Sequence, residues 1–133
     1  MTIQEIKQQF FSFRNGIVAK TFIDAGAPYK TVFGLQLPQI SEIARRAGTD
    51  HALARTLWAD VSCRESRLLA CYLFDPSAIN LEEAVELAAG AATREETDIL
   101  CFRLLRRLPF ARDLAERLEA YPREALLRNL EGD

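Results

Sequence analysis

ESRLLACYLF (Glu65 to Phe74) falls into register with ETDILCFRLL (Glu96 to Leu105) at an offset of 31 residues. Leu68 stands over Ile99, Leu69 over Leu100, Leu73 over Leu104 and Phe74 over Leu105. The segments before them share that register, with Leu53 over Ala84, Ala54 over Val85 and Leu57 over Ala88. Two amphipathic helices recurring at about thirty residues is what stacked helical pairs require, because one pair cannot bury its apolar face alone. A third, degenerate unit is expected to start near Pro109.

Working outward, helix starts are marked by a short polar residue three positions before a glutamate: Thr2 with Glu5, Ser62 with Glu65, Asn80 with Glu83 and Thr93 with Glu96. In a capping box the first side chain takes an orphan N–H and the glutamate reaches back. Pro38 suits a first helical turn and Asp50 a cap. Helices are expected near 3–13, 16–25, 38–47, 51–58, 63–74, 81–90, 94–108, 110–119 and 122–130, with residues 26–36 as the longest irregular stretch. Strand alternation is nearly absent, and short connections make neighbours antiparallel. The fold class is therefore all-α: stacked antiparallel helix pairs, a HEAT-like α-solenoid or α–α superhelix, read as one domain over 1–133.

Of 133 residues, 49% are hydrophobic and 27% charged, a globular composition. No apolar run is long enough for a membrane span, and MTIQEIKQQF does not read as a secretory signal. The net charge of −2 argues against a protein that holds nucleic acid by bulk electrostatics alone. Yet fourteen of the seventeen cationic residues are arginine, whose planar fork pairs bidentately with phosphate. Cys63, Cys71 and Cys101 are widely spaced, which reads as reduced thiols in a cytoplasmic protein. No metal-ligand cluster, Gly-rich phosphate loop or hydrolase motif is present, so neither metal nor cofactor is expected.

Few residues are candidates for chemistry. Arg67 and Asp98 occupy equivalent repeat positions, each projecting onto an apolar arc. An unpaired buried charge is costly, so they are expected to pair across adjacent repeats, roughly 8–10 Å apart; the competing reading opens Asp98 to a ligand groove. Arg103, Arg106 and Arg107 fall on the opposite arc and, with Arg94, Arg112 and Arg117, make the second half rich in guanidinium groups. They are phosphate-contact candidates, or a solvated face balanced by nearby glutamates. Trp58 is expected as a core anchor, Cys63 as a thiol beside Arg64 and Arg67, and His51 has no evident partner.

GLQLPQISEIARRAG, ALARTLWAD, CRESRLLACYLFDP and TREETDILCFRLLRRLPFA, in that order across residues 29–119, resemble the bacterial DNA alkylation repair glycosylases of the HEAT-repeat type. The resemblance implies an α-solenoid whose concave face grips duplex DNA and removes alkylated purines. It implies an aspartate that stabilises charge developing on the sugar, in a tract like Trp-Asp-x-x-Asp, with tryptophans and arginines on the lesioned backbone. The matching tract is Arg94-Glu95-Glu96-Thr97-Asp98, which assigns the aspartate to Asp98 and puts Arg94 in the tryptophan's place. The expectation is duplex-DNA binding through Arg67, Arg94, Arg103, Arg106 and Arg107, with Asp98 as the catalytic candidate and binding favoured over base excision. The alternative is a non-catalytic scaffold holding a protein or peptide partner.

Overall fold

The helices begin where polar side chains satisfy their first N–H groups. In the computed structural model, which describes residues 1–132, Thr2 and Glu5 form the expected reciprocal box at the start of α1 (Ile3–Ser12). Asn15 accepts from Ile17 and Val18 N–H at the head of α2 (Gly16–Asp24). Pro38 sits in the first turn of α3 (Leu37–Ala47), and Asp50 accepts from Leu53 N–H to open α4 (His51–Ala59). α5 runs Arg64–Leu73. A 3-10 turn at Pro76–Ala78 leads to α6 (Leu81–Gly90), capped by Asn80, and α7 (Arg94–Arg103), capped by Thr93. After a second 3-10 turn at Leu105–Arg107 come α8 (Ala111–Arg117) and α9 (Ala120–Glu131). The protein is all-helical with packed helix pairs, like an α-solenoid. Among the described residues no helix is long and apolar enough to cross a membrane.

Most helices match the expected spans to within a residue or two, and α7 departs furthest. The helix expected over 94–108 stops at Arg103, because Leu104 leaves helical geometry (φ −125°, ψ −63°). Leu108 precedes Pro109 and must be extended (φ −74°, ψ 140°), so the chain tightens into a 3-10 turn first. The last helix starts at Ala120, two residues before Pro122, which falls in its first turn.

The chain forms two compact units, 1–74 and 75–133. In the first, α4 and α3 both pack on α5, and Ile6, Phe10, Leu35, Ile40, Ile43, Leu57, Leu68 and Leu69 are fully buried. In the second, α6 packs on α8 and α7 on α9, each helix against the next but one in sequence; Leu100, Leu104, Leu105, Leu114 and Leu126 fill that core. The first unit thus buries all the apolar positions that the 31-residue register aligned, and the second buries all but Val85 and Ile99, which are half-buried.

Ser62 and Glu65 do not form the expected capping box. Cys63 is the cap residue and its side chain makes no capping bond. Glu65 is fully buried and turned toward the 26–36 segment, accepting from Phe33 N–H (2.9 Å), Gly34 N–H (3.1 Å) and the Arg64 guanidinium (2.8 Å). Arg64 also donates to Leu35 O and lies 3.9 Å from the Phe22 ring centre. Thr31 completes the tie, donating to Ser62 O and accepting from Arg64 N–H. Gly34 is required here: its φ is +86°, and a Cβ would sit 2.2 Å from Asn15 O and 2.8 Å from Ala19 N.

Asp60, in the α4–α5 turn, reaches α1 through Lys7 Nζ (2.5 Å) and accepts from Ser66 Oγ (2.8 Å). Burial alone would raise the Asp60 carboxyl, but the bonds from Lys7 and Ser66 outweigh it and hold the group below its ordinary value. A depressed folded pKa gives stability that is present above the unfolded value, about 3.9, and lost as pH falls through the folded one.

Replacing Glu65 by alanine strands two backbone donors and a buried guanidinium, and should lower unfolding free energy by about 3 kcal/mol in urea titrations. In acid titrations followed by circular dichroism, Asp60→Asn should start from lower stability at neutral pH and lose less than wild type below about pH 4.

Candidate nucleic-acid interface

The second unit brings the sequence-derived candidates onto α7 and the turn after it. Asp98 lies on α7 with its side chain 48% exposed, not within the apolar arc as projected. The projection continued one helix through Leu105, but α7 ends first, and its buried side is Leu100, Cys101 and Leu104. Phe102, placed on the same arc, is 43% exposed.

Tyr121, near the start of α9, donates its hydroxyl to Asp98 Oδ1 at 2.6 Å. Arg128, two turns further along α9, donates to the same phenol at 3.2 Å and stands 3.8 Å from Oδ1. The Arg94 guanidinium lies 4.5 Å from the Tyr121 ring centre and that of Arg128 lies 5.6 Å from it. Asp98 Oδ2 has no hydrogen-bond partner among the described residues. The result is a half-exposed carboxylate with one oxygen fixed and one available, flanked by two guanidinium groups. Burial pushes the nearby Cys101 thiol up to about 12, with Asp98 adding to the shift and Arg128 opposing it.

Beyond Asp98, Arg103 ends α7 while Arg106 and Arg107 occupy the 3-10 turn. Arg106 Nε donates to Phe102 O at 2.7 Å, and its guanidinium sits 4.3 Å from the Phe102 ring centre. Arg103 sits 5.2 Å from that ring, and Arg107 donates to Arg103 O. Two arginines thus lie against one exposed phenyl group, with Arg107 tied to the backbone beside them.

Arg67 belongs elsewhere. It is 3% exposed, stacks 3.6 Å from the Trp58 ring centre and donates to Trp58 O at 2.6 Å. Trp58 meets the Phe74 edge at 6.4 Å but is only half-buried, at the margin of the core and not within it as expected. Within its own unit Arg67 meets Trp58, and Asp98 meets Tyr121 and Arg128. As a surface phosphate contact Arg67 is withdrawn, because burial under an indole leaves it no open face. Cys63 is 1% exposed, which removes the accessible surface that a reactive thiol needs.

Sequence reasoning missed Tyr121 and Arg128. They lie 23 and 30 residues from Asp98, and only the packing of α9 on α7 unites them. The i, i+7 spacing of Tyr121 and Arg128, one face of one helix, was the available signal.

A model of the DNA alkylation repair enzyme family matches residues 6–124. The chain belongs to that family. No curated protein and no solved structure gives a significant match.

All three cysteines are buried, so a thiol-specific disulfide reagent at pH 8 should leave the native protein essentially unmodified. All three should react after denaturation, and rapid labelling of Cys101 in the native state would contradict its placement.

Proposed function

We propose that this protein binds duplex DNA through the arginine-bearing surface of its second unit, without excising bases. The observation that carries the reading is the placing of Arg103 and Arg106 against exposed Phe102, one turn from Asp98, with Arg107 bonded to Arg103 O beside them. Guanidinium groups positioned by an aromatic face and by backbone carbonyls are pre-organised for phosphate oxygens. Membership of an alkylation-repair family supports DNA as the ligand. A HEAT-like repeat arrangement is part of the proposal, supported by the packing of α6 on α8 and α7 on α9.

Excision is left out on physical grounds. An alkylated purine is cationic, and the position that the resemblance assigns to a stacking tryptophan holds Arg94, which repels such a base. Tyr121 and Arg128 further commit one oxygen of Asp98. The carboxylate is then a contact near the sugar-phosphate backbone and not the group that stabilises a developing cation.

A second reading, a scaffold for a protein partner, is favoured by one observation. Residues 75–133 hold eight cationic against thirteen acidic side chains, while residues 1–74 hold nine against six. The guanidinium-rich unit is therefore the net-acidic one. A cavity of about 260 Å³ lined by Val85, Ala88, Ala89, Leu118 and Pro122 lies on it.

Anisotropy of a labelled duplex carrying an abasic-site analogue separates the two. Binding should weaken with salt, with a log–log slope of about −2.7 for three neutralised phosphates. Arg103→Ala with Arg107→Ala should reduce that slope by about 1.8. No binding at low salt would end the DNA reading in favour of the scaffold. Base release by wild type that disappears in Asp98→Asn would overturn the non-catalytic half.

A further inference from the structure

We infer that the cavity bordered by α6, the end of α8 and the start of α9 docks a basic peptide segment of a partner protein. It seats one bulky apolar side chain and sets a flanking cation against Glu119. The site shares no residue with the arginine surface, and the inference stands whether or not that surface binds DNA.

The cavity exists because α6 lacks bulk on one side. At the 31-residue offset Ala88 and Ala89 stand where the first repeat has Leu57 and Trp58. Leu57 is fully buried, and Trp58 lies against Phe74 and Arg67. Two methyl groups thus replace an isobutyl group and an indole, and α8, which packs on α6, ends at Arg117 after seven residues. About 260 Å³ stays open, walled by Val85, Ala88, Ala89, Leu118 and Pro122. The wall formed by residues 118–122 is rigid. Ala120 is the one non-glycine residue at positive φ (+55°) among the described residues, and Pro122 follows it by two positions. An alanine in the left-handed region persists only where the surrounding structure enforces it, and a preformed wall lowers the ordering cost of binding.

Size and charge select the occupant. A cavity of about 150 Å³ accepts a benzene ring, whereas pockets for drug-sized ligands start at about 300 Å³. One side chain of phenylalanine size therefore fits, and a whole cofactor does not. Glu119 borders the cavity, is exposed, and makes no capping bond at the head of α9. It has no hydrogen bond or ion pair among the described residues, and neither has exposed Glu86, which follows Val85. Arg117, the one cation in the lining, is turned to Glu82 at 3.4 Å. Residues 75–133 as a whole carry thirteen acidic against eight cationic side chains. An apolar side chain flanked by lysine or arginine is complementary to this surface, and an acidic segment is repelled. The buried side chain would supply most of the affinity, and the charges its register.

The test titrates the full chain into fluorescein-labelled Lys-Lys-Phe-Lys-Lys at low salt and follows anisotropy. The same peptide with alanine for phenylalanine should bind at least about tenfold more weakly, and Glu-Glu-Phe-Glu-Glu should not bind. Ala89→Trp restores the first repeat's residue at an exposed position. It should abolish binding of the phenylalanine peptide while leaving the circular dichroism melt as in wild type. Glu119→Lys should weaken that peptide several-fold with the fold equally intact. Equal binding of the phenylalanine and alanine peptides would mean bulk charge attraction and overturn the inference. Binding that survives Ala89→Trp, or no binding by wild type, would overturn it as well. Self-association in sedimentation that Ala89→Trp abolishes would assign the cavity to a second copy of the chain instead. None of these results bears on Arg103 and Arg107, which the abasic-duplex titration decides separately.

Discussion

A buried carboxylate that accepts two backbone N–H groups and one guanidinium organises the first unit. Glu65 fixes residues 33 and 34 on the N-terminal end of α5, and Arg64 extends the tie to Leu35 O and the Phe22 ring. The 26–36 segment has no regular structure of its own, yet it leads into α3, and α3 packs on α5. Without Glu65 its inward-facing donors would meet an apolar interior. The charge is tolerated at full burial because its partners are fixed in place and one is cationic. Gly34 completes the arrangement, since only a residue without Cβ lets the segment come so close to the start of α2. Glu96, at the equivalent position 31 residues on, is also fully buried and accepts from Ala92 N–H.

The helices and their approximate spans were legible because the cues are local. Thr2, Asp50, Asn80 and Thr93 cap as their spacing implied, and most of the aligned apolar positions are buried in each unit. Ser62 and Glu65 matched the same pattern and did something else. A capping glutamate and a glutamate holding a distant loop occupy the same position, and the choice between them depends on where residues 33 and 34 come to lie. No local window contains that information. The break at Leu104 was missed for a related reason: the apolar pattern continues through Leu105, while the geometry answers to Pro109.

The same break explains why the site was only half legible. Asp98 and the arginines were picked out correctly as unusual, but their facing was inferred from a helix longer than the one that forms. Arg67 did lie on its apolar arc, and an arginine there must cover its charge. The indole of Trp58 provides a desolvated but attractive surface for it. Asp98, freed from the core, is held by a phenol from another helix. Its partners Tyr121 and Arg128 are ordinary surface residues in sequence and acquire meaning only through the packing of α9 on α7.

Arginine clustered within a net-acidic unit raises the question of what orients those guanidinium groups. The geometry gives a partial answer. Arg94 and Arg128 stack on Tyr121, Arg103 and Arg106 on Phe102, and Arg106 and Arg107 donate to main-chain carbonyls. Contacts to aromatic faces and neutral carbonyls orient a guanidinium, and Arg128 also stands 3.8 Å from Asp98 Oδ1 and 4.0 Å from Glu124 Oε1. Arginine suits this arrangement better than lysine, because a planar cation can lie against a ring and still extend donors from its edge. The preference for arginine across the chain is in this view a requirement of local charge display. The acidic residues set the long-range field, which slows indiscriminate association with polyanions and leaves short-range geometry to decide what binds.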